Sequence, residues 1–98
     1  NAKAKAAYSV AIGYNASSSA YSSTAIGCKA NSYGANSTAL GYNATSSGGP
    51  STAIGYNAQT TASNQIVLGD KDTVVYIPGN LVVGNSIATD KIFINELV

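Results

Sequence analysis

Histidine and arginine are both missing from the 98-residue chain, and so are tryptophan and methionine. Without histidine there is no commonest general base, no serine or cysteine triad and no ordinary zinc or copper site. Five lysines and a net charge of +1 provide no phosphate-neutralising stripe, so nucleic acid is excluded as a partner class. Charged residues make up only 9% of the chain, far below the usual quarter of a soluble domain, so neutral polar groups must keep it in solution. The single cysteine, Cys28, rules out an intrachain disulfide and leaves either a reduced thiol or a link to another chain. No apolar run of ~18 residues is present, so membrane insertion is not expected. The start at Asn1 lacks the pattern of a signal peptide, and a chain that opens on Asn is expected to be part of something longer.

What is abundant is Gly, Ser, Thr, Asn and Ala, arranged periodically. Ser9 to Ala16, Ser23 to Ala30, Ser37 to Ala44 and Ser51 to Ala58 align without a gap at a spacing of 14 residues, and a degenerate copy runs from Gln65 to Asp72. The register is carried by a bulky aliphatic at Ile12, Ile26, Leu40, Ile54 and Leu68, followed by Gly13, Gly27, Gly41, Gly55 and Gly69. Residues 2 to 8 fit the trailing half of one more copy. Fourteen residues are too few for a helix pair or a propeller blade, and the composition disfavours helix. One coil of a β-solenoid fits: a strand over Ser23 to Gly27, a turn opened by Gly27, a second strand over Ala30 to Ser32, and a polar closing stretch. Five coils stacked at the ~4.8 Å strand spacing make a rod roughly 24 Å long.

Alternation puts Thr24 and Ile26 on one face of the strand and Ser23 and Ala25 on the other. The aliphatic column is expected to fill the roll, leaving the Ser-x-Ala face as an assembly surface. A thin core and two uncharged faces predict a homotrimer of parallel rolls. An ice-binding β-solenoid is the alternative from another class, because Thr24, Thr38 and Thr52 stand one coil apart. Against it, each is followed two places later by Ile26, Leu40 or Ile54, so the shared face is Thr-x-Ile and expected to be buried. Val10 and Ile66 also interrupt the column at both ends.

The Ser-(Val/Thr)-Ala-(Ile/Leu)-Gly-x-x-Ala unit at this spacing resembles the head repeats of trimeric autotransporter adhesins, the YadA-like family, and related repeats in phage and viral tail fibres. The resemblance covers residues 9 to 72. It implies an all-β chain folded as a left-handed parallel β-roll, three copies around a threefold axis, and binding to host surfaces or extracellular matrix without catalysis. It also implies a virion fibre or bacterial cell-surface location. On this basis residues 1–72 form head-repeat coils and residues 73–98 a β-rich connector or stalk start. In that second segment Thr73 to Gly84 alternates apolar residues around Pro78-Gly79, which suit the centre of a type II turn between two strands. The wording Tyr76-Ile-Pro-Gly-Asn-Leu-Val-Val83 is similar to phage and viral fibre proteins, while Ser86 to Val98 is expected to be a short strand or the start of a stalk.

Tyr14, Tyr42 and Tyr56 share one column, with Cys28 and Asp70 in its other two places. A row of aromatic platforms with polar tips could receive a glycan or protein receptor, or could shield the turn or a subunit seam. Asn15, Asn43 and Asn57, interrupted by Lys29, suit stacked amides that hydrogen-bond along the rod. Asn15, Asn36 and Asn43 each open a glycosylation sequon, a weak signal in so polar a chain. Asp70-Lys-Asp72 has half the acids of a calcium loop but lacks its glycine and distal glutamate, and reads as a solvated turn. Nothing in the repeat activates Cys28 as a nucleophile, and neither a metal nor a cofactor is expected.

Overall fold

Serine and alanine, the smallest side chains that still pack, decide how this chain closes on itself. The computed structural model describes residues 1–96. Each coil but the last contributes one two-residue and one three-residue strand, joined by turns and repeated 14 residues later; before the last long strand the short one is reduced to a single bridge, Thr45 beside Gln59. The longer strands are β2 (Val10–Ile12), β4 (Thr24–Ile26), β6 (Thr38–Leu40), β8 (Thr52–Ile54) and β9 (Ile66–Leu68). They form a parallel five-stranded sheet in that order. The shorter strands β1 (Lys3–Ala4), β3 (Ser17–Ser18), β5 (Asn31–Ser32) and β7 (Thr45–Ser46) form a second parallel sheet. Every pairing is in the register of the repeat, Ile12 beside Ile26, Ile26 beside Leu40, Leu40 beside Ile54 and Ile54 beside Leu68. The result is the β-solenoid of 14-residue coils that the periodicity requires.

The turns explain why the period tolerates no gap. Ala16 donates its N–H to the Gly13 carbonyl across one turn, at 3.1 Å, and the same bond recurs between Ala30 and Gly27. The third residue of this turn has positive φ in successive coils, at Asn15, Lys29, Asn43 and Asn57. A lone positive φ there is the sign pattern of a type II turn, and asparagine accepts it more readily than most side chains. A second column, Tyr8, Ser22, Asn36 and Asn64, is also left-handed. Pro50 occupies its fourth place, where the ring forbids positive φ, and the chain passes that corner through Gly48-Gly49-Pro50.

Inside, the two sheets meet through Ala25, Ala39 and Ala53 on one side and Ala16, Ala30, Ala44 and Ala58 on the other, all essentially sealed from solvent. Paired serines cross the remaining gap. Ser18 and Ser23 hydroxyls lie 2.5 Å apart, Ser32 and Ser37 2.6 Å, and Ser46 and Ser51 2.7 Å. Ser23 gives its one proton to the Ala20 carbonyl and Ser37 gives its own to the Gly34 carbonyl. Ser32 is therefore left as the donor within its pair, while the Ser18 proton has two acceptors in reach, the Ser23 hydroxyl and the Ser23 carbonyl at 2.7 Å. Among the described residues no buried side-chain nitrogen or oxygen lacks a partner, the condition under which a polar interior is not a liability.

This reverses the expected use of the strand faces. Ile12, Leu40, Ile54 and Leu68 do not fill the roll; they point outward and are substantially exposed, with Ile26 half-buried among them. The Ser-x-Ala face, expected to serve assembly, is the interior. The reason is volume: a cross-section closed by strands of three and two residues has room for two alanines and two serines per coil, and a branched aliphatic would hold the sheets apart. The Thr-x-Ile face, expected to be buried, is the outer face of the long sheet. The strand–turn–strand expected over Thr73 to Gly84 is also not formed. Pro78 and Gly79 do bend the chain, but among the described residues none after Leu68 lies in a strand. The segment pairs with no strand of its own chain, not even the open edge of β9. The end of the Ser86 to Val98 expectation, residues 97 and 98, lies outside the described residues.

Coil spacing makes two substitutions diagnostic. Gly41 has φ +128°, and a Cβ there would stand 2.8 Å from the Gly55 carbonyl oxygen of the next coil. Gly41→Ala and Ala39→Leu are each expected to cost about 2–3 kcal/mol or more, the first through backbone strain and the second through overpacking. Thermal unfolding followed by circular dichroism checks this; either variant melting with the parent chain would contradict the packing described.

Candidate binding surfaces

Two outer surfaces carry side chains with no structural work inside the roll. The first is the outward face of the long sheet, where Val10, Ile12, Leu40, Ile54, Ile66 and Leu68 are all exposed. Together with the half-buried Thr24, Thr38 and Thr52 they form a continuous, uncharged, mostly apolar stripe along the rod. An apolar patch of this continuity marks an interaction surface in a soluble protein. The signal for it was present in the alternate column: alanine at Ala11, Ala25, Ala39 and Ala53, unbroken over four coils, is what a narrow interior demands.

The second surface is the turn after the long strand, which brings Tyr14, Cys28, Tyr42 and Tyr56 into one column. Tyr42 and Tyr56 stack with ring centroids 5.6 Å apart and planes within 10°. One face of each ring is thus turned to the other, and the hydroxyls, ring edges and outer faces remain on the surface. Lys29 lies with its ammonium 6.0 Å from the Tyr42 ring centroid, at the long end of a cation–π contact. Tyr14 stands two coils from Tyr42 and is the most exposed of the three, at 67%. Cys28, where the column loses its aromatic ring, is a half-buried free thiol. Beside the rings the expected amide ladder forms between Asn43 and Asn57, Nδ2 to Oδ1 at 2.8 Å. This edge is a row of phenol hydroxyls, amides and one ammonium on a rigid frame. A separate aromatic pair, Tyr8 and Tyr21, meets edge to face at 5.4 Å on another corner.

A shallow cleft lies where Pro50 breaks the column of left-handed turn residues. Asn36, Ser51, Asn64, Gln65 and Ile66 line it with the proline. Sequence reasoning passed over it, although a proline in a position otherwise held by Asn, Ser or Tyr was the available sign.

Asp70, Lys71 and Asp72 make the turn that ends the roll. The Asp70 carboxylate accepts the Asp72 N–H at 3.0 Å and the Thr73 hydroxyl at 3.0 Å, while the Thr73 oxygen accepts the Asp70 N–H at 3.1 Å. Lys71 pairs with Asp72 at 3.1 Å in full solvent. Among the described residues no three histidine, cysteine or acidic side chains group as a metal site would require. No helix among them is long and apolar enough to cross a membrane.

The family model for the YadA head domain repeat matches residues 1–16, 18–44 and 46–70, which is most of the chain and nearly all of the coiled part. The chain belongs to the YadA head-repeat family. Neither the curated proteins nor the solved structures gave a match. Membership makes this YadA head segment an adhesin-like part of a surface fibre, from a family that is in general homotrimeric, surface-exposed and non-enzymatic.

The turn at the end of the YadA head coils has a pH signature. The Asp72 backbone N–H, then the Thr73 hydroxyl and the Lys71 charge, hold the Asp70 carboxyl below its ordinary value. The folded value lies below the unfolded one, so the turn's contribution is complete above the ordinary aspartate value and is lost as pH falls through the lowered one. Carboxyl NMR titration is expected to give a depressed Asp70 midpoint that returns toward normal in Thr73→Val. An undisturbed midpoint in the parent chain would contradict the turn geometry.

Proposed function

We propose that the chain is a non-catalytic, structural and adhesive segment of a trimeric fibre, in which three parallel rolls pack through the outer faces of their long sheets and present or form a receptor-binding head. The observation that carries it is the outward aliphatic ladder from Ile12 to Leu68, on a chain whose family is in general homotrimeric. Burying each half-exposed aliphatic is worth roughly 1 kcal/mol. Repeated over five rungs in three copies, this is enough to outweigh the several kcal/mol that association costs. A stripe without charge also gives three identical faces nothing to repel.

The receptor side of the proposal rests on the tyrosine edge. Tyr14, Tyr42 and Tyr56, with Asn43, Asn57 and Lys29, offer hydroxyls and amides at coil spacing, which suits the hydroxyl-rich surface of a glycan or the backbone of an extended protein ligand. A virion fibre and a bacterial surface fibre would both use such an edge.

Sedimentation and host-glycan arrays test the two halves. The parent chain is expected to sediment as a trimer, and Leu40→Lys, which sets three ammonium groups into the interface while leaving the Ala/Ser interior intact, is expected to give a folded monomer. A parent chain that is a folded monomer at tens of micromolar would overturn the proposal. On the array, binding by the trimer is expected to fall at least tenfold in Tyr42→Ala/Tyr56→Ala. Hydrolase or lyase activity mapped to this segment would contradict the non-catalytic assignment.

A further inference from the structure

The last quarter of the chain is the most apolar exposed surface of the molecule. Three short runs, Val74–Ile77, Leu81–Val83 and Ile92–Ile94, consist wholly of aliphatic and aromatic residues, and every one of them is exposed. Tyr76 is 82%, Val82 86% and Phe93 91% accessible. Among the described residues no backbone-to-backbone hydrogen bond is made beyond Thr73. Apolar runs whose side chains and peptide groups are both unpartnered are strand sequence without a sheet. In the alternating geometry of a strand, Val74 and Tyr76 share one side and Val75 and Ile77 the other, so both faces are apolar. That is the pattern of a strand covered on both faces.

We infer that residues 74–94 form inter-chain β-structure with the same segment of two further copies of this chain. The inference rests on the trimer proposed above and extends it to a segment that the rolls do not cover. Three observations favour copies of this chain as the partner. The tail leaves the roll through the Asp70–Thr73 turn, two residues after Leu68, so it is continuous with the last rung of the apolar stripe. Parallel rolls bring three identical tails out side by side at one level, which sets each apolar run beside its own equivalents. None of the three runs contains a charged residue, and the Asp90-Lys91 pair between them carries both signs, so the segment has no charge preference for a foreign partner and is self-complementary. The chain measures 51 × 24 × 22 Å, about twice the length of five stacked coils at ~4.8 Å, consistent with a tail extending the rod.

Hydrogen exchange by mass spectrometry on the full chain, at a concentration where sedimentation has established the oligomer, reads the tail and the roll separately. Amides of residues 74–94 are expected to exchange at least 100-fold more slowly than an unstructured peptide. In Val82→Lys the tail is expected to return to fast exchange while roll amides stay protected. A trimer whose tail exchanges at unstructured rates would overturn the inference and leave the trimer proposal standing. A folded monomer would overturn both. Tail protection in a monomer, or protection appearing only on addition of phosphatidylcholine vesicles, would overturn the choice of partner.

Discussion

The distance between the two sheets of the roll is set by alanine and serine, and the rest of the structure follows from it. With Ala25, Ala39 and Ala53 facing Ala30, Ala44 and Ala58, the interior has no room for a branched side chain, and the paired serine hydroxyls fill what remains. Parallel stacking at strand spacing brings backbone against backbone at the corners, which is why the Gly41 position cannot carry a Cβ. The period of 14 is therefore a steric requirement on every coil. A residue added or lost would move alanine to the outside and isoleucine to the inside at once.

A core of this kind is poor in hydrophobic free energy. Alanine buries little apolar area, and hydrogen bonds between serines contribute only about 1 kcal/mol each against water. The larger apolar area sits on the outside, in the Ile12-to-Leu68 ladder and in the runs between Val74 and Ile94. The strands thus divide their surfaces: the small face closes the protomer, and the large face stays exposed, available to the neighbours that the proposed trimer would supply. In the trimer proposed above, a rod with its apolar side turned inward between copies would present its turns and the polar outer face of the short-strand sheet to the environment. Those turns carry the tyrosine and asparagine columns.

Much of the fold was legible in the sequence, because a gapless repeat of Ile-Gly or Leu-Gly every 14 residues has few physical solutions. Coil length, strand register, turn positions and the amide ladder at Asn43 and Asn57 all followed from the period. The orientation of the strand was misread. Ile26 and Leu40 look like core residues under the ordinary rule that large aliphatics go inside, and the rule fails where the interior is too narrow to hold them. Strand alternation fixes which residues share a face but not which face is inward; the unbroken alanine column settles it only once coil width is considered. The tail was misread for a different reason. Its alternation is genuine, but a strand needs a partner edge, and residues 73–96 pair with none in their own chain. At the candidate site the tyrosine column was visible from the repeat, whereas the face-to-face stacking of Tyr42 and Tyr56 depends on side-chain rotamers that no periodicity encodes.

The central claim is that the small-residue face closes the protomer while the aliphatic face is covered by other copies. Methyl NMR of the assembled protein with a soluble paramagnetic agent tests both halves at once. The account predicts that the Ala39 and Ala53 methyls are shielded in every state of the chain. It predicts that the Leu40 and Ile54 methyls are shielded in the assembly and become strongly broadened in the Leu40→Lys or Ile54→Lys monomer that retains the other residue. Broadened Leu40 and Ile54 signals in the intact assembly, or an exposed Ala39 methyl, would contradict it.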